Sequence, residues 1–182
     1  VFNPWSPGIN ETDSVIVSVP ALGAENVLDN NTAFYVTQVN NSIVSYSDDT
    51  DRVASTGFNT GDGLILARYK MNGCGTVNAA QVYLDFSTEG NTVYAVIMDG
   101  AGTLIDSSED FVPTRDEVNK YHSFFFPALP GFNNEDYYIG LAQQANATDG
   151  YNPVGVQWET AFIRDSAYYR ANIDGAGLTH TP

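Results

Sequence analysis

Three carboxylates fall within four residues at Asp48-Asp49-Thr50-Asp51, a dense set of hard oxygen donors. Calcium collects oxygen ligands from flexible acidic loops of this kind. Asp48, Asp49 and Asp51 are therefore the expected metal ligands, and calcium the expected cofactor. Asn133-Asn134-Glu135-Asp136 is a second cluster and Asp149 lies in a third polar loop, without EF-hand spacing. The plain alternative is that these loops are simply hydrated. Sugar rings stack on exposed aromatic faces, and Tyr151, Trp158, Tyr168 and Tyr169 crowd the last loops and strands. They are the expected ligand-binding residues, with carbohydrate as the ligand class. Against this stands the ordinary fate of large aromatics in a β protein, which is to fill the core or cover an edge.

Catalytic groups are few. His122 and His180 are the two histidines; the first precedes Phe124-Phe125-Phe126 on an expected strand and the second stands near the end. No Gly-x-Ser-x-Gly elbow accompanies them, and one cysteine with two distant histidines lacks the short spacings of a zinc site. Asp99-Gly100-Ala101-Gly102 is hairpin chemistry rather than a phosphate cradle before a helix. Glu159, beside Trp158, is the most suggestive carboxylate for glycoside hydrolysis, but chance pairs abound among 22 Asp and Glu. The expectation is a chain without catalytic residues.

Strands must position these loops. Residues 80–86 and 92–98 alternate apolar and polar side chains around turn residues, and residues 121–126 and 137–142 continue the pattern. They are expected to form the core hairpins, with Tyr94, Ile97, Phe125 and Ile139 facing inward. Further strands are expected at 13–19, 33–39, 64–71, 154–159 and 166–170, with 43–46 pairing beside the second. Residues 72–75 read as a turn, and Cys74 as a small packed residue between glycines. Helical periodicity is absent, and residues 115–120 are too short to stand alone as a helix. Period-2 runs with regular turns predict an all-β, antiparallel β-sandwich, jelly-roll-like, with long polar loops.

Length predicts one domain over 13–175, with 1–12 as a linker or a strap anchored by Phe2 and Trp5, and 176–182 as a second linker. The chain opens without Met and closes on Leu178-Thr179-His180-Thr181-Pro182, as a segment cut from something longer would. Seven Lys and Arg against 22 Asp and Glu give a formal charge of −15. Such a field repels nucleic acid and anionic lipid. No apolar run reaches the ~20 residues of a membrane span, so membrane insertion is not expected.

From Cys74-Gly75-Thr76-Val77 onward, the order of motifs resembles a known group of modules. The matching elements are Val82-Tyr83-Leu84, then Val93 to Ile97 with its Asp-Gly turn, then residues 103–108. Phe124-Phe125-Phe126-Pro127 and residues 136–141 complete the pattern. Together these span rather less than half the chain, and it is similar there to the β-sandwich, jelly-roll-like modules of large secreted proteins of Bacteroidota exported by the type IX route. The resemblance implies a non-catalytic binding or adhesion module, secreted or at the cell surface, working beside other domains or subunits of an assembly. Proteins of that phylum carry O-glycans at Asp-Ser/Thr before an apolar residue, which implies Ser14 and Ser166 as glycosylation sites. The rival readings are a carbohydrate-active enzyme domain using Glu159 and a structural protomer of a surface filament joined by an edge strand.

If the acidic loop holds calcium, the ion raises stability by about 2.7 kcal/mol at a hundredfold excess over its dissociation constant. Melting in calcium chloride should then exceed melting in sodium chloride at matched ionic strength, and Asp49→Asn with Asp51→Asn should erase the difference. Equal melting in the two salts would return the loop to simple hydration.

Overall fold

The computed structural model describes residues 11–18, 32–39, 43–45, 54–157 and 167–181. Regular structure among them is almost all strand, and every pairing is antiparallel. In chain order the strands are β1 Glu11–Ser18, β2 Thr32–Val39, β3 Ala54–Thr56, β4 Gly63–Lys70, β5 Cys74–Thr76, β6 Ala79–Leu84 and β7 Val93–Asp99. After these come β8 Leu104–Ser107, β9 Lys120–Phe125, β10 Gly131–Asn133, β11 Asp136–Gln143, β12 Val154–Val156, β13 Tyr168–Ala171 and β14 Thr179–His180. Among the described residues the one helical element is a 3-10 turn, Phe86–Thr88, capped by Asp85, whose Oδ1 accepts the Ser87 N–H at 3.0 Å.

The chain forms two compact units, Val1–Asp49 and Thr50–Pro182, where its length predicts one domain over 13–175. The first unit contains the hairpin of β1 and β2, in continuous register from Glu11↔Val39 to Ser18↔Thr32. That strand starts inside the stretch expected to be a linker. Ile43, Val44 and Ser45 are exposed and outside any strand, so the pairing expected for 43–46 is not made there.

The second unit is a β-sandwich. One sheet has six strands in the order β14-β13-β4-β11-β7-β8, and the other has four in the order β3-β12-β6-β9. A small pair, β5 with β10, stands beside them. From β3 to β13 the long strands pass back and forth between the two sheets, which gives the jelly-roll character. Leu84 and Ala80 of β6 and Phe124 of β9 meet Val93, Ala95 and Ile97 of β7 and Leu141 of β11 to form the core between the sheets. Phe132 of β10 stacks on Tyr137 at 4.7 Å, and Tyr137 lies 5.9 Å from Tyr69, so the small pair is fastened to that core by aromatic contact.

β7 is apolar on both faces. Val93, Ala95 and Ile97 point into the sandwich, while Val96 and Met98 join Leu64, Leu66, Tyr138, Ala142 and Ala171 in a second cluster on the far side of the large sheet. Ile173 and Leu178 pack on that cluster, and β14 pairs with β13 through Tyr169↔His180. Residues 176–181 are therefore docked on the sheet and are not a free linker.

Several expectations need correcting. Residues 80–86 and 92–98 do become β6 and β7, but they do not pair with each other: β6 pairs with β9, and β7 with β11 and β8. Alternation identifies a strand without identifying its neighbour, and eight residues with a 3-10 turn between them carry the chain across to the other sheet. Only the Asp99-Gly100-Ala101-Gly102 turn closes a hairpin as read. Asp99 Oδ1 accepts the Ala101 and Thr103 N–H groups at 2.9 and 2.8 Å, and Gly102 takes a φ of 85° that favours glycine. Cys74 is exposed on β5 rather than packed.

Phe125 is 68% exposed, while its neighbours Phe124 and Phe126 are buried. Tyr94 and Ile139 are half-buried; Ile97 is fully enclosed. Phe124→Ala should therefore cost about 3–5 kcal/mol in urea unfolding, and Phe125→Ala should stay within about 0.5 kcal/mol of the parent. Equal losses at the two positions would overturn the register of β9.

Candidate functional site

β6 and β9 pair along their whole length, with Ala79↔Phe125, Gln81↔Ser123 and Tyr83↔Tyr121 opposite one another. Their intervening residues, Ala80, Val82, Leu84, His122 and Phe124, point into the core side. Strand alternation therefore puts Ala79, Gln81, Tyr83, Tyr121, Ser123 and Phe125 together on the outer face of the smaller sheet. None of the six carries a charge, in a chain whose formal charge is −15. Tyr83 and Tyr121 meet edge to face at 5.5 Å. Gln81 Nε2 donates to Ser123 Oγ at 3.4 Å, at the outer limit for a hydrogen bond. The result is a row of aromatic rings with an amide and a hydroxyl set between them, carried on rigid strands.

Of the four aromatics expected to bind a ligand, the three that are described do not form such a face. Tyr151 is 2% exposed, and its hydroxyl lies 2.8 Å from the Gln144 carbonyl and 3.1 Å from that of Thr92. Burial pushes its pKa up, partly opposed by the Gln144 contact. It is a core residue with a satisfied hydroxyl, not a stacking platform. Tyr168 and Tyr169 are successive residues of β13 and point to opposite faces; Tyr168 is exposed, and Tyr169 packs edge-on to Tyr138 at 4.9 Å. Trp158 and Glu159 lie outside the described residues. So do Asp48, Asp49, Asp51 and Ser166, while Ser14 falls on β1. Among the described residues no three His, Cys, Asp or Glu side chains converge on one point. In the loop at 133–136, Glu135 Oε1 accepts the Asn133 N–H at 3.0 Å, closing a turn.

A polar pocket of about 270 Å³ opens between the loop before β7 and the loop after β11, beside Asn91, Gln144, Asn146 and Tyr151. Its asparagine amides are spent on the loops themselves: Asn146 Nδ2 donates to Asn91 Oδ1 at 2.7 Å, and Asn146 Oδ1 accepts the Thr148 and Asp149 N–H groups. No carboxylate or imidazole lines it, so it offers no acid–base pair. His122 faces the core instead. Its ring stacks on Phe111 at 3.8 Å and meets Phe124 edge-on at 4.6 Å.

No protein-family model matches the chain, and no curated protein or solved structure matches it either. No helix among the described residues is long and apolar enough to cross a membrane. The face on β6 and β9 was legible only in the residues left over from the core. Ala79-x-Gln81-x-Tyr83 and Tyr121-x-Ser123-x-Phe125 are the alternate positions once Leu84 and Phe124 point inward.

Burial lowers the His122 pKa below its usual value, with the Glu117 carboxylate pulling the other way. The unfolded chain thus takes up a proton more readily than the folded one. Its contribution to stability is intact above about pH 6.5 and is lost as pH falls toward the depressed folded value. Melting temperature should therefore decline from pH 7 to pH 5 more steeply in the parent than in His122→Phe, which keeps the stack. Parallel profiles would mean that the ring titrates as it does in the unfolded chain.

Proposed function

We propose that this chain is a non-catalytic binding module that works by contact, as a secreted or cell-surface part of a larger protein or assembly. The observation that carries this reading is the uncharged aromatic face of β6 and β9 on a strongly acidic chain. Phe125 leaves 68% of its surface exposed there, and exposed aromatic surface is costly in water. The motif order shared with type IX-exported modules of Bacteroidota supports the same reading. A filament protomer keeps one observation in its favour: among the described residues β9 is an edge strand of its sheet, and such an edge can accept another strand.

The test is retention of the fluorescently tagged chain on washed cell envelopes of the producing organism. Retention should saturate and should fall at least about tenfold in Phe125→Asp, with the melting temperature unchanged. Undiminished retention in that variant would reject the face. Concentration-dependent self-association that disappears in Phe125→Asp would favour the filament instead.

A further inference from the structure

The turn between β4 and β5 carries Asn72-Gly73, the one asparagine of the sequence that is followed by glycine. In such a pair the glycine nitrogen can attack the side-chain carbonyl carbon of the asparagine, because glycine has no Cβ to crowd the approach. The surroundings leave room for the ring this makes. Asn72 is exposed, and among the described residues its carboxamide makes no hydrogen bond. A Cβ at Gly73 would meet nothing within 4 Å, so the space beside its backbone is open. Two Asp-Gly pairs are held differently. Asp99 Oδ1 accepts the Ala101 and Thr103 N–H groups, and Asp174 Oδ1 accepts the Ala176 N–H at 2.9 Å.

One contact opposes the reaction. The Gly73 N–H donates to Asn134 Oδ1 at 2.8 Å, and the Asn134 N–H donates back to the Gly73 carbonyl at 3.0 Å. Asn134 stands in the turn between β10 and β11, 61 residues further along the chain, with a φ of 54°. The attacking nitrogen must lose the proton that this bond holds, and must turn away from its acceptor. We infer that Asn72 is a site of spontaneous deamidation, and that Asn134 is the positioning residue that slows it. The Gly73 nitrogen bonds to Asn72 Cγ, while its proton passes through solvent to the departing amide, which leaves as ammonia. Water then opens the succinimide. Its attack at Cγ gives aspartate, and its attack at the main-chain carbonyl gives isoaspartate.

Either product changes the corner that the two turns share. Aspartate adds a carboxylate to a turn tied to Asn134, which Glu135 and Asp136 follow in sequence. Like charges brought together there weaken the brace. Isoaspartate adds a methylene to the main chain just before β5, whose short pairing with β10 runs from Cys74↔Asn133 to Thr76↔Gly131.

The experiment is peptide mapping by mass spectrometry after the folded chain has stood in mildly alkaline buffer. The peptide holding Asn72 should gain the mass difference between an amide and an acid, and its aspartate and isoaspartate forms should separate by chromatography. Asn134→Gly removes the acceptor yet suits the positive φ, and should speed conversion about two- to tenfold, the worth of one hydrogen bond. In that variant Asn72 should convert faster than Asn78, which is also exposed but precedes Ala79. Asn134→Asp keeps an acceptor oxygen, so it should convert no faster than the parent. In guanidinium chloride, where the contact is gone, the parent and Asn134→Gly should convert alike. Conversion at Asn72 no faster than at Asn78 in both folded chains overturns the site. Equal rates in the folded parent and Asn134→Gly, or Asn134→Asp as fast as Asn134→Gly, overturn the role of Asn134.

Discussion

A single buried amide closes one end of the sandwich. Gln143, the last residue of β11, is completely enclosed, and its side chain makes three hydrogen bonds to backbone. Oε1 accepts the Phe58 N–H at 2.8 Å, and Nε2 donates to the Asn59 and Tyr151 carbonyls at 2.8 and 3.0 Å. One side chain therefore fixes the loop between β3 and β4 and the loop between β11 and β12 against the end of the large sheet. An unpaired amide at this depth would cost about 1–3 kcal/mol for each group left unmade, so the three bonds stand or fall together. Gly57 belongs to the same arrangement: a Cβ there would come within 2.6 Å of both Gln143 Oε1 and the Asn152 Cα. Tyr151 is held by its backbone carbonyl at one side and its hydroxyl at the other, which is why an aromatic that looked available for a ligand is not.

From that end the sheets diverge in character. The large sheet is buried on both faces, because β7 and β11 send apolar side chains to the inner core and to a second cluster under residues 172–178. The small sheet buries Ala80, Leu84 and Phe124 on its inner face, while Phe125 on its outer face is 68% exposed. Antiparallel sheets tolerate this arrangement, with apolar residues inward and polar ones outward. Along one edge, Arg170 of β13 reaches Thr56 Oγ1 of β3 at 2.9 Å and lies over the Phe58 ring at 5.2 Å, joining the two sheets with a cation where the core runs out.

Much of this was legible in the sequence, at the level of elements. Alternation found β4, β6, β7, β9 and β11 within a residue or two, and the Asp99-Gly100-Ala101-Gly102 turn was readable from its residue types alone. Pairing was not, because period 2 says which residues share a face and nothing about which strand lies alongside. The run Phe124-Phe125-Phe126 defeated even the facing, since three identical rings carry no alternation to read. Register then depends on what lies opposite: Ala80 sits across from Phe124 and leaves room for that ring in the core, while Phe125 stands across from Ala79 on the outer side. At Tyr151 the ligand-binding expectation failed for a related reason. Counting aromatics near late loops weighs them by sequence position, whereas Tyr83, Tyr121 and Phe125 come together only through cross-strand register.

The contrast between field and face bears on how such a module would work. Charge of one sign spread over the surface keeps copies of the chain apart and keeps polyanions away. Under the contact reading, an uncharged patch in that field would meet a partner without like-charge repulsion. Each contact is small, since a few rings and one amide give no more than modest affinity. Under that reading, strength would come from repetition, through several modules held on one chain. A rigid sheet suits that task better than a loop, because each binding event orders no new backbone. The same rigidity traces back to the core beneath: Phe124, Leu84 and Ala80 fix the strands that carry Tyr83, Tyr121 and Phe125, so the packing that gives the sandwich its stability also sets the spacing of the rings.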